Sequence, residues 1–414
     1  MMMWRIILKS LRQHWLSTGL AILSIALGVG LLISVVSLRE QAHNNFTQVG
    51  LGVDAVLGPK GSPLQIVLNA IYNLEEMPGK IPWPYYQQVL KNPIVVEGIP
   101  FCSGHSYAGF RVNAIDRRFL TDFEFLPGQK FSFNPADGGQ GRAFNEGEEA
   151  VAGAAAAREL GVKLGETFNP VCGVTDNGPV HHNNIRFVGI MAPTGTPYDR
   201  AIYIPLTTFY QLEGHEAVAK MAVDEQYREI SGAFLKIKRI SGGAIHPGIM
   251  DLKYEINQAP TAQFVVPNEV LPKLFTMIGW VDNTLLAISI MVIVLAGLFL
   301  LVALASALRE RRRDIALMRA LGATRTTIFG LVVSESVIIA VLGGVCGLVL
   351  GHAIVAAAAD AVRVETGLRF SEFYVSQADW VLFPAIIVLG LLSGLIPAVQ
   401  AYRTGVLKNL TPIS

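Results

Sequence analysis

The residues that could bind a nucleotide or a metal ion lack the spacing that such sites require. Met77 to Ile81 contains the Gly-Lys pair of a phosphate-binding loop, but neither the upstream glycine nor the following hydroxyl residue. His181 and His182 are the densest pair of metal-ligand types, yet adjacent side chains of an extended chain point to opposite sides. We therefore expect no catalytic residue, no metal site and no cofactor in this chain. Surface loops are the expected location of the histidines between residues 39 and 282, namely His43, His105, His181, His182, His215 and His246.

A charge-dense connector, residues 309–325, suggests chemistry of another kind, which is protein binding. It contains six arginines, and Ile315, Met318 and Leu321 recur in it at a spacing that forms one apolar stripe of a helix. Membrane topology alone would account for the arginines but not for the stripe, so we favour a docking helix. The residues predicted to contact a partner are Arg312, Arg313, Ile315, Met318, Arg319 and Leu321.

The connector also carries signals for where its helix ends. The sequence is compatible with one continuous helix from Leu304 to Ala320. Gly322 suits a helix stop, because glycine adopts the left-handed conformation that commonly ends a helix. Thr324 suits the N-cap of the following helix, because its hydroxyl can accept a hydrogen bond from a free backbone N–H.

The composition indicates a membrane protein. Of the 414 residues, 51% are hydrophobic and 16% are charged, against roughly 25% charged in an ordinary soluble domain. The mean hydropathy is +0.43. Four nearly uncharged segments are long enough, at about 1.5 Å per residue, to cross the hydrocarbon core as helices. The predicted spans are residues 16–38, 283–308, 326–359 and 380–402.

Lysine and arginine indicate on which side of the membrane each segment lies. The N-terminal residues 1–15, the connector 309–325 and the tail 403–414 together hold 11 basic and two acidic residues. The short loop 360–379 holds two basic and four acidic residues, and residues 39–282 hold 20 basic and 25 acidic ones. We therefore expect cytoplasmic termini, a cytoplasmic connector, an amphipathic first helix at 1–15 and a large exterior domain at 39–282.

The pattern within residues 39–282 is typical of an α+β domain. Short β-like runs, separated by glycine, proline and asparagine, alternate with helical segments. The predicted strands are Ile94–Ile99, Ile185–Ile190, Ala201–Ile204 and Phe234–Ile237, and the predicted helices are Ala150–Leu160 and a segment from Thr208 onward. Cys102 and Cys172 lie in this domain, and the sequence leaves open whether they form a disulfide.

Small residues recur in the predicted spans at intervals of four, a spacing that lets helix backbones approach closely in lipid. The glycines predicted to pack helices, within one subunit or across a dimer, are Gly28, Gly343, Gly347, Gly351, Gly390 and Gly394. Glu335 lies in the cytoplasmic half of the third span, where an uncompensated carboxylate is costly. It is either a structural polar contact or a residue that couples the span to a partner.

Two stretches resemble the permease module of the MacB/FtsX/LolCE family of ABC transporters. The first is Glu310 to Gly322, followed by Glu335 and the glycine-rich run Gly343 to Gly351. The second is Gly394 to Arg403, which is similar to the closing Gly-x-x-Pro-Ala-x-x-Ala signature of that family. Weaker likenesses cover most of the remaining chain, and residues 61–140 are the least similar part.

The resemblance implies a four-span subunit of a type VII ABC transporter, which works as a dimer with a second copy or a homologous permease. A separate cytoplasmic ABC ATPase dimer, which binds ATP and Mg²⁺, would dock on the connector. Its closure would reach a MacB-like periplasmic core domain by mechanotransmission, so the chain itself would not be an enzyme. Membrane lipids are expected partners and nucleic acid is not, whereas the sequence leaves open whether a periplasmic adaptor or substrate-binding protein also takes part.

Three functions are compatible with these features. The favoured one is the permease of a MacB-like or LolCE-like exporter in the cell inner membrane, which extrudes or extracts a substrate on the outer side. The second is an FtsX-like regulator, which activates a cell-wall hydrolase without transporting cargo. The third is a membrane-anchored receptor without ATP coupling, which leaves the connector unexplained. By the resemblance, FtsX-type exterior domains tend to be smaller than this one, so the size of the exterior domain favours the exporter.

Overall fold

The computed structural model describes residues 12–13, 15–47, 52–173, 178–215, 219–220, 223–366, 371 and 374–403. These residues fall into two compact units. One, which we call the helical bundle, lies within residues 1–42, 278–360 and 370–414; the other, which we call the large domain, lies within residues 43–277 and 361–369.

The helices and strands are numbered separately in chain order. Helices α1 to α11 are Trp15–Thr47, Pro63–Ala70, Trp83–Leu90, Arg118–Thr121, Ala154–Leu160, Leu206–Tyr210, Ile249–Gln258, Pro267–Glu310, Arg312–Ala320, Arg325–Thr366 and Gln377–Tyr402. Strands β1 to β15 are Ala55–Gly58, Ile81–Pro82, Val95–Tyr107, Phe110–Ile115, Glu124–Leu126, Gln129–Lys130, Gln140–Gly141, Glu149–Ala152, Thr167–Phe168, Val171–Cys172, Ile185–Ile190, Ala201–Pro205, Glu229–Ile230, Gly232–Ile237 and Gln263–Val265.

Among the described residues, four helices are long and apolar enough to cross a membrane. We call them span 1 to span 4, and their apolar parts are Trp15–Asn44, Gly279–Glu310, Arg325–Ala359 and Asp379–Tyr402. The large domain follows span 1 in the chain and precedes span 2. The predicted fold class, four spanning helices with a large domain of mixed α and β structure between the first two, is therefore confirmed.

Two predicted boundaries differ from the observed helices. The helix that contains span 2 begins at Pro267, well before the predicted residue 283, and the helix that contains span 3 continues to Thr366. Most of the predicted helix at residues 1–15 lies outside the described residues, as does the predicted tail after Arg403.

Spans 1 and 3 pack together through glycines, and we call this interface the glycine seam. A Cβ added to each of three span 3 glycines would lie 2.7–2.8 Å from the Cβ of a span 1 side chain; the pairs are Gly343 with Ile25, Gly347 with Val29 and Gly351 with Ile33. Real Cβ atoms do not approach so closely, so only glycine permits this helix separation. At the end of the seam, Ser34 Oγ donates to the Gly30 carbonyl of its own helix at 2.7 Å and lies 3.3 Å from the Gly351 carbonyl of span 3.

The other predicted packing glycines also contact helices of the same chain. A Cβ on Gly28 in span 1 would lie 2.9 Å from Ile293 in span 2. Gly390 and Gly394 in span 4 face span 3, where Ser336 Oγ donates a 2.8 Å hydrogen bond to the Gly390 carbonyl. All six glycines therefore serve packing within one subunit in this structure.

A mixed sheet of eleven strands is the centre of the large domain, counted over the described residues. Its strand order is β15-β1-β14-β3-β4-β12-β8-β11-β7, with β10 beside β3 and β9 beside β11. The pairs β11–β8 and β12–β4 are parallel, and the remaining pairs are antiparallel. Alternate residues of β1 and β12 belong to two different hydrophobic clusters, so a core lies on each face of the sheet.

One predicted element of the large domain is wrong in its first part. Residues Ile185–Ile190 form a strand as expected, whereas the predicted helix Ala150–Leu160 is divided. Its first residues form β8, which pairs with β11 and β12, and the helix begins only at Ala154. Gly153 makes the division possible, because a Cβ there would lie 2.4 Å from the Asp199 carbonyl oxygen.

The two cysteines of the large domain are not paired. Both Cys102 and Cys172 are free thiols in this structure. Cys102 is buried, and its sulfur lies 3.6 Å from the Tyr210 hydroxyl. Burial raises the pKa of the Cys102 thiol to about 11, so it remains protonated and chemically inert at neutral pH.

Candidate functional site

The connector folds as a separate short helix, α9, after a break at Arg311. The expected continuous helix from Leu304 to Ala320 is therefore wrong, because Arg311 adopts a backbone conformation (φ −96°, ψ 8°) that ends α8 and starts α9. The Arg311 N–H donates to the Ala307 carbonyl of α8 at 3.2 Å, and the Arg311 carbonyl accepts from the Ile315 N–H of α9 at 3.0 Å, so this one residue bonds to both helices.

The other end of α9 has the expected signals. Gly322 has a φ of +102°, its N–H donates to the Arg319 carbonyl, and the Ala323 N–H donates to the Met318 carbonyl at 3.0 Å. This pair of bonds is the Schellman arrangement. Thr324 Oγ1 then accepts from the Thr327 N–H at 3.1 Å, which caps α10. The sequence signals for a helix stop and an N-cap are both confirmed.

The inner face of α9 packs against spans 3 and 4. Ile315 is 4% exposed and Ala316 is 1% exposed, and Met318 is partly buried against the same cluster. Ile315 and Met318 pack with four buried residues of spans 3 and 4, namely Ile328, Val332, Ala398 and Ala401. The expectation that Ile315 and Met318 lie on an exposed docking stripe is therefore corrected: the apolar periodicity reflects packing of α9 on its own bundle.

The outer face of α9 combines exposed apolar and basic side chains. Leu321 is 88% exposed and Leu317 is 45% exposed, while Arg313 is exposed on the same helix. Arg312 is the first residue of α9, and Arg319 is partly buried near its end. Exposed leucines beside arginines suit a protein interface, where apolar residues provide affinity and surrounding charges guide association.

An ion pair joins Glu335 of span 3 to Arg311, the residue that immediately precedes α9. Oε1 of Glu335 lies 3.6 Å from Nη1 of Arg311, and both side chains are largely buried, at 10% and 16% exposure. A buried carboxylate is costly unless it is paired, so the guanidinium compensates the charge at this depth. Arg311 also occupies the break between α8 and α9. The pair therefore joins the break between α8 and α9 to span 3. The sequence did not reveal this contact.

Three histidines that the sequence analysis assigned to surface loops lie together inside the large domain. His105 and His181 are buried at 3% and 5% exposure, and His215 is half-buried beside them. His182, by contrast, is exposed as expected. Sequence spacing did not reveal this group, because its members come from β3, from the segment after β10 and from the segment after α6.

Taken together, four apolar helices, a large domain after the first and a short amphipathic helix after the second define a membrane-spanning protein of the permease type. Residues 18–233, more than half of the chain, match the family described as the MacB-like periplasmic core domain. Residues 286–406 match the family described as the FtsX-like permease C-terminal region. The chain belongs to the MacB/FtsX/LolCE-type family of ABC transporter permeases.

Two known proteins show a measurable similarity to this chain. An uncharacterized ABC transporter permease of Methanocaldococcus jannaschii is 24% identical over 429 aligned positions, covering 98% of this chain and 95% of that protein. The extracellular domain of the noncanonic ABC-type transporter YknZ from Gram-positive bacteria matches 51% of this chain and 98% of its own, with 10% identity and a TM-score of 0.28.

Proposed function

We propose that this chain is the permease subunit of a MacB-like or LolCE-like ABC transporter. A separate cytoplasmic ATPase dimer hydrolyses ATP and drives a pair of permease subunits. Their spans transmit the movement to the large domain, which extrudes or extracts a substrate outside the membrane. Membership in the permease family supports an ATPase partner, and the insertion of the large domain between spans 1 and 2 gives the moving spans a direct covalent connection to it.

The charge distribution supports the orientation that this function needs. Basic residues dominate the connector, whereas residues 39–282 carry a net charge of −5. By the positive-inside rule, α9 and both termini face the cytoplasm and the large domain faces outward. In that orientation α9 is exposed to the compartment that contains ATP.

The observation that carries the proposal is the division of α9 into two faces. Its inner face is buried against spans 3 and 4 through Ile315 and Met318, while Leu317 and Leu321 project outward. Covering an exposed leucine with an apolar surface of a partner removes it from water, which makes association more favourable. We therefore assign ATPase docking to the outer face, with Arg313 at its rim.

Movement of α9 would reach the spans by two short routes. The Arg311–Glu335 pair and the Ile315 cluster connect α9 to span 3. The glycine seam connects span 3 to span 1 at van der Waals distance, so a displacement of span 3 cannot be absorbed by a soft interface. Span 1 leads directly into the large domain along the chain.

The test uses the Leu321→Asp variant of the full chain, tagged and purified from native membranes in mild detergent. A co-purifying protein with ATP hydrolysis activity is expected for the parent. Because Leu321 is 88% exposed, the variant should fold normally, whereas a charge placed in the interface should weaken ATPase association by about 30-fold or more, equivalent to about 2 kcal/mol.

Val375→Asp is the matched control, because Val375 is also an exposed apolar residue, at 62% exposure. It lies in the chain segment that connects span 3 to span 4, on the side of the membrane opposite α9 in the proposed orientation. This variant should retain the ATPase. Equal association of the ATPase with parent and Leu321→Asp protein would contradict docking on the outer face of α9. Absence of any co-purifying ATPase from the parent, at every detergent concentration that preserves the bundle, would contradict the proposed transporter.

A further inference from the structure

We infer that His105, His181 and His215 form a binding site for a divalent transition-metal ion inside the large domain. One potential ligand atom from each side chain lies within 4.8 Å of those of the other two. The three ring centroids are 4.9–5.2 Å apart. This inference is independent of the ATPase and goes beyond the transport function proposed above.

The shortest separation in the cluster has the length that a shared ion requires. Nε2 of His105 lies 3.1 Å from Nε2 of His181. Two imidazole nitrogens bound to one tetrahedral Zn²⁺ at about 2.0–2.1 Å are roughly 3.3 Å apart, by the tetrahedral angle. The ligand atom of the half-buried His215 lies within 4.8 Å of those of the other two histidines.

Hydrogen bonds fix the tautomers of two rings in the form that binds metals. Nδ1 of His181 donates to the Glu213 carbonyl at 2.5 Å, and Nδ1 of His215 donates to the Phe209 carbonyl at 3.1 Å. Because a carbonyl oxygen can only accept, both Nδ1 atoms carry the proton and both Nε2 atoms present a lone pair. Metal-binding histidines are oriented in this way by backbone carbonyls or carboxylates.

A purely structural network explains His105 less well. Among the described residues, the His105 ring makes one hydrogen bond, between its Nε2 and Nε2 of His181, and its buried Nδ1 has no partner. In a buried histidine, each of the two ring nitrogens normally has a hydrogen-bond partner.

The ligand chemistry selects the class of ion. Three imidazoles suit Zn²⁺, Cu²⁺, Ni²⁺ and similar ions. Among the residues that the structure describes, the cluster contains no carboxylate, the ligand type that Ca²⁺ and Mg²⁺ prefer. Three protein ligands leave one tetrahedral position for water or an external ligand. The ion would also tie β3 to two segments that are distant in sequence, which would stabilise this part of the domain.

The test uses the full chain, purified in detergent with a tag that contains no histidine and treated with a chelator. Equilibrium dialysis against Zn²⁺, with elemental analysis, should give one ion per chain, and Co²⁺ should give the visible bands of tetrahedral coordination. His215→Ala changes a half-buried residue and should weaken Zn²⁺ binding by about 100-fold or more.

His105→Gln provides a second variant that keeps the size and polarity of the buried side chain, and it should lose binding to the same extent. His182→Ala removes the exposed neighbour of His181 and should bind Zn²⁺ like the parent. Failure of the parent to bind one ion, or unchanged binding by both His215→Ala and His105→Gln, would overturn the site. Neither result would affect the proposed ATPase docking.

Discussion

The glycine seam is a small-residue interface that lies entirely between two helices of this chain. The connector helix α9 is amphipathic, and the chain covers only one of its two faces. In the seam, each of three glycines lies against a β-branched side chain of span 1, and the helix backbones are in contact. In α9, Ile315 and Met318 pack against spans 3 and 4, whereas Leu317 and Leu321 are exposed. The difference separates residues that hold the subunit together from residues that are available to a partner.

The comparison gives each region a distinct expected response to substitution. Seam residues should affect folding of the subunit whether or not an ATPase is present. Inner-face residues of α9 should do the same to a smaller extent, and outer-face residues should affect only association.

Gly347→Leu should have the largest effect on the bundle. A Cβ at this position would lie 2.7 Å from Val29 Cβ and 2.9 Å from the Ala26 carbonyl oxygen, so spans 1 and 3 must separate. We expect a loss of about 3 kcal/mol of stability, since backbone atoms cannot yield as a flexible side chain would. Thermal unfolding of the purified protein in detergent measures the effect.

Gly330→Leu is the matched control for the seam. Gly330 lies in the same helix as Gly347, and nothing lies within 4 Å of a Cβ added there. This variant should unfold at or above the temperature of the parent, because leucine favours the helix more than glycine does. Equal destabilisation by both variants would show that the seam is not the determining contact.

Ile315→Ala should destabilise the bundle by about 2–3 kcal/mol, because it removes buried apolar contacts between α9 and spans 3 and 4. Leu317→Ala changes an exposed residue of the same helix and should cost less than about 0.5 kcal/mol. Unfolding of the two variants without ATPase gives the comparison. A larger loss for Leu317→Ala would reverse the assignment of the two faces.

The Arg311–Glu335 pair should contribute a smaller coupling energy of about 1–2 kcal/mol. A double-mutant cycle with Arg311→Gln and Glu335→Gln measures it from unfolding in detergent, because the double variant removes both charges together. The double variant should lose less stability than the sum of the losses of the two single variants, because each single variant leaves one buried charge without its partner. Additive single effects would show that the two side chains do not interact in solution.

The sequence predicted the spans and the packing glycines because both depend on local composition. An uncharged run of sufficient length and a four-residue repeat of glycine are visible without any partner. The choice between packing within a subunit and across a dimer was not visible, because the repeat specifies a close approach and not the helix that approaches. The structure supplies that choice for Gly343, Gly347 and Gly351.

The connector shows a different limit of sequence reasoning. Periodicity indicated correctly that Ile315 and Met318 lie on an apolar face, but it assigned that face to an external partner. The nearest apolar surface is that of spans 3 and 4, and packing there leaves Leu317 and Leu321 outside. Amphipathicity predicts that a face is buried and does not identify what buries it.

The histidine cluster was missed for a topological reason. His105 and His181 are in contact although 76 positions separate them, and local spacing rules apply only to ligands from one helix or turn. The strand β8 was missed for a related reason: its alanines favour a helix, but pairing with β11 and β12 prevails. In both cases contacts between distant segments decide the outcome.

The most direct test of the central claim places a photo-crosslinking amino acid at Leu321 and, as a control, at Val375, in membranes that contain the native ATPase. The two residues are both exposed, so neither replacement should disturb the bundle. Our account predicts that position 321 crosslinks to the ATPase and position 375 does not. Crosslinking of the ATPase from position 375, with none from position 321, would contradict docking on the outer face of α9.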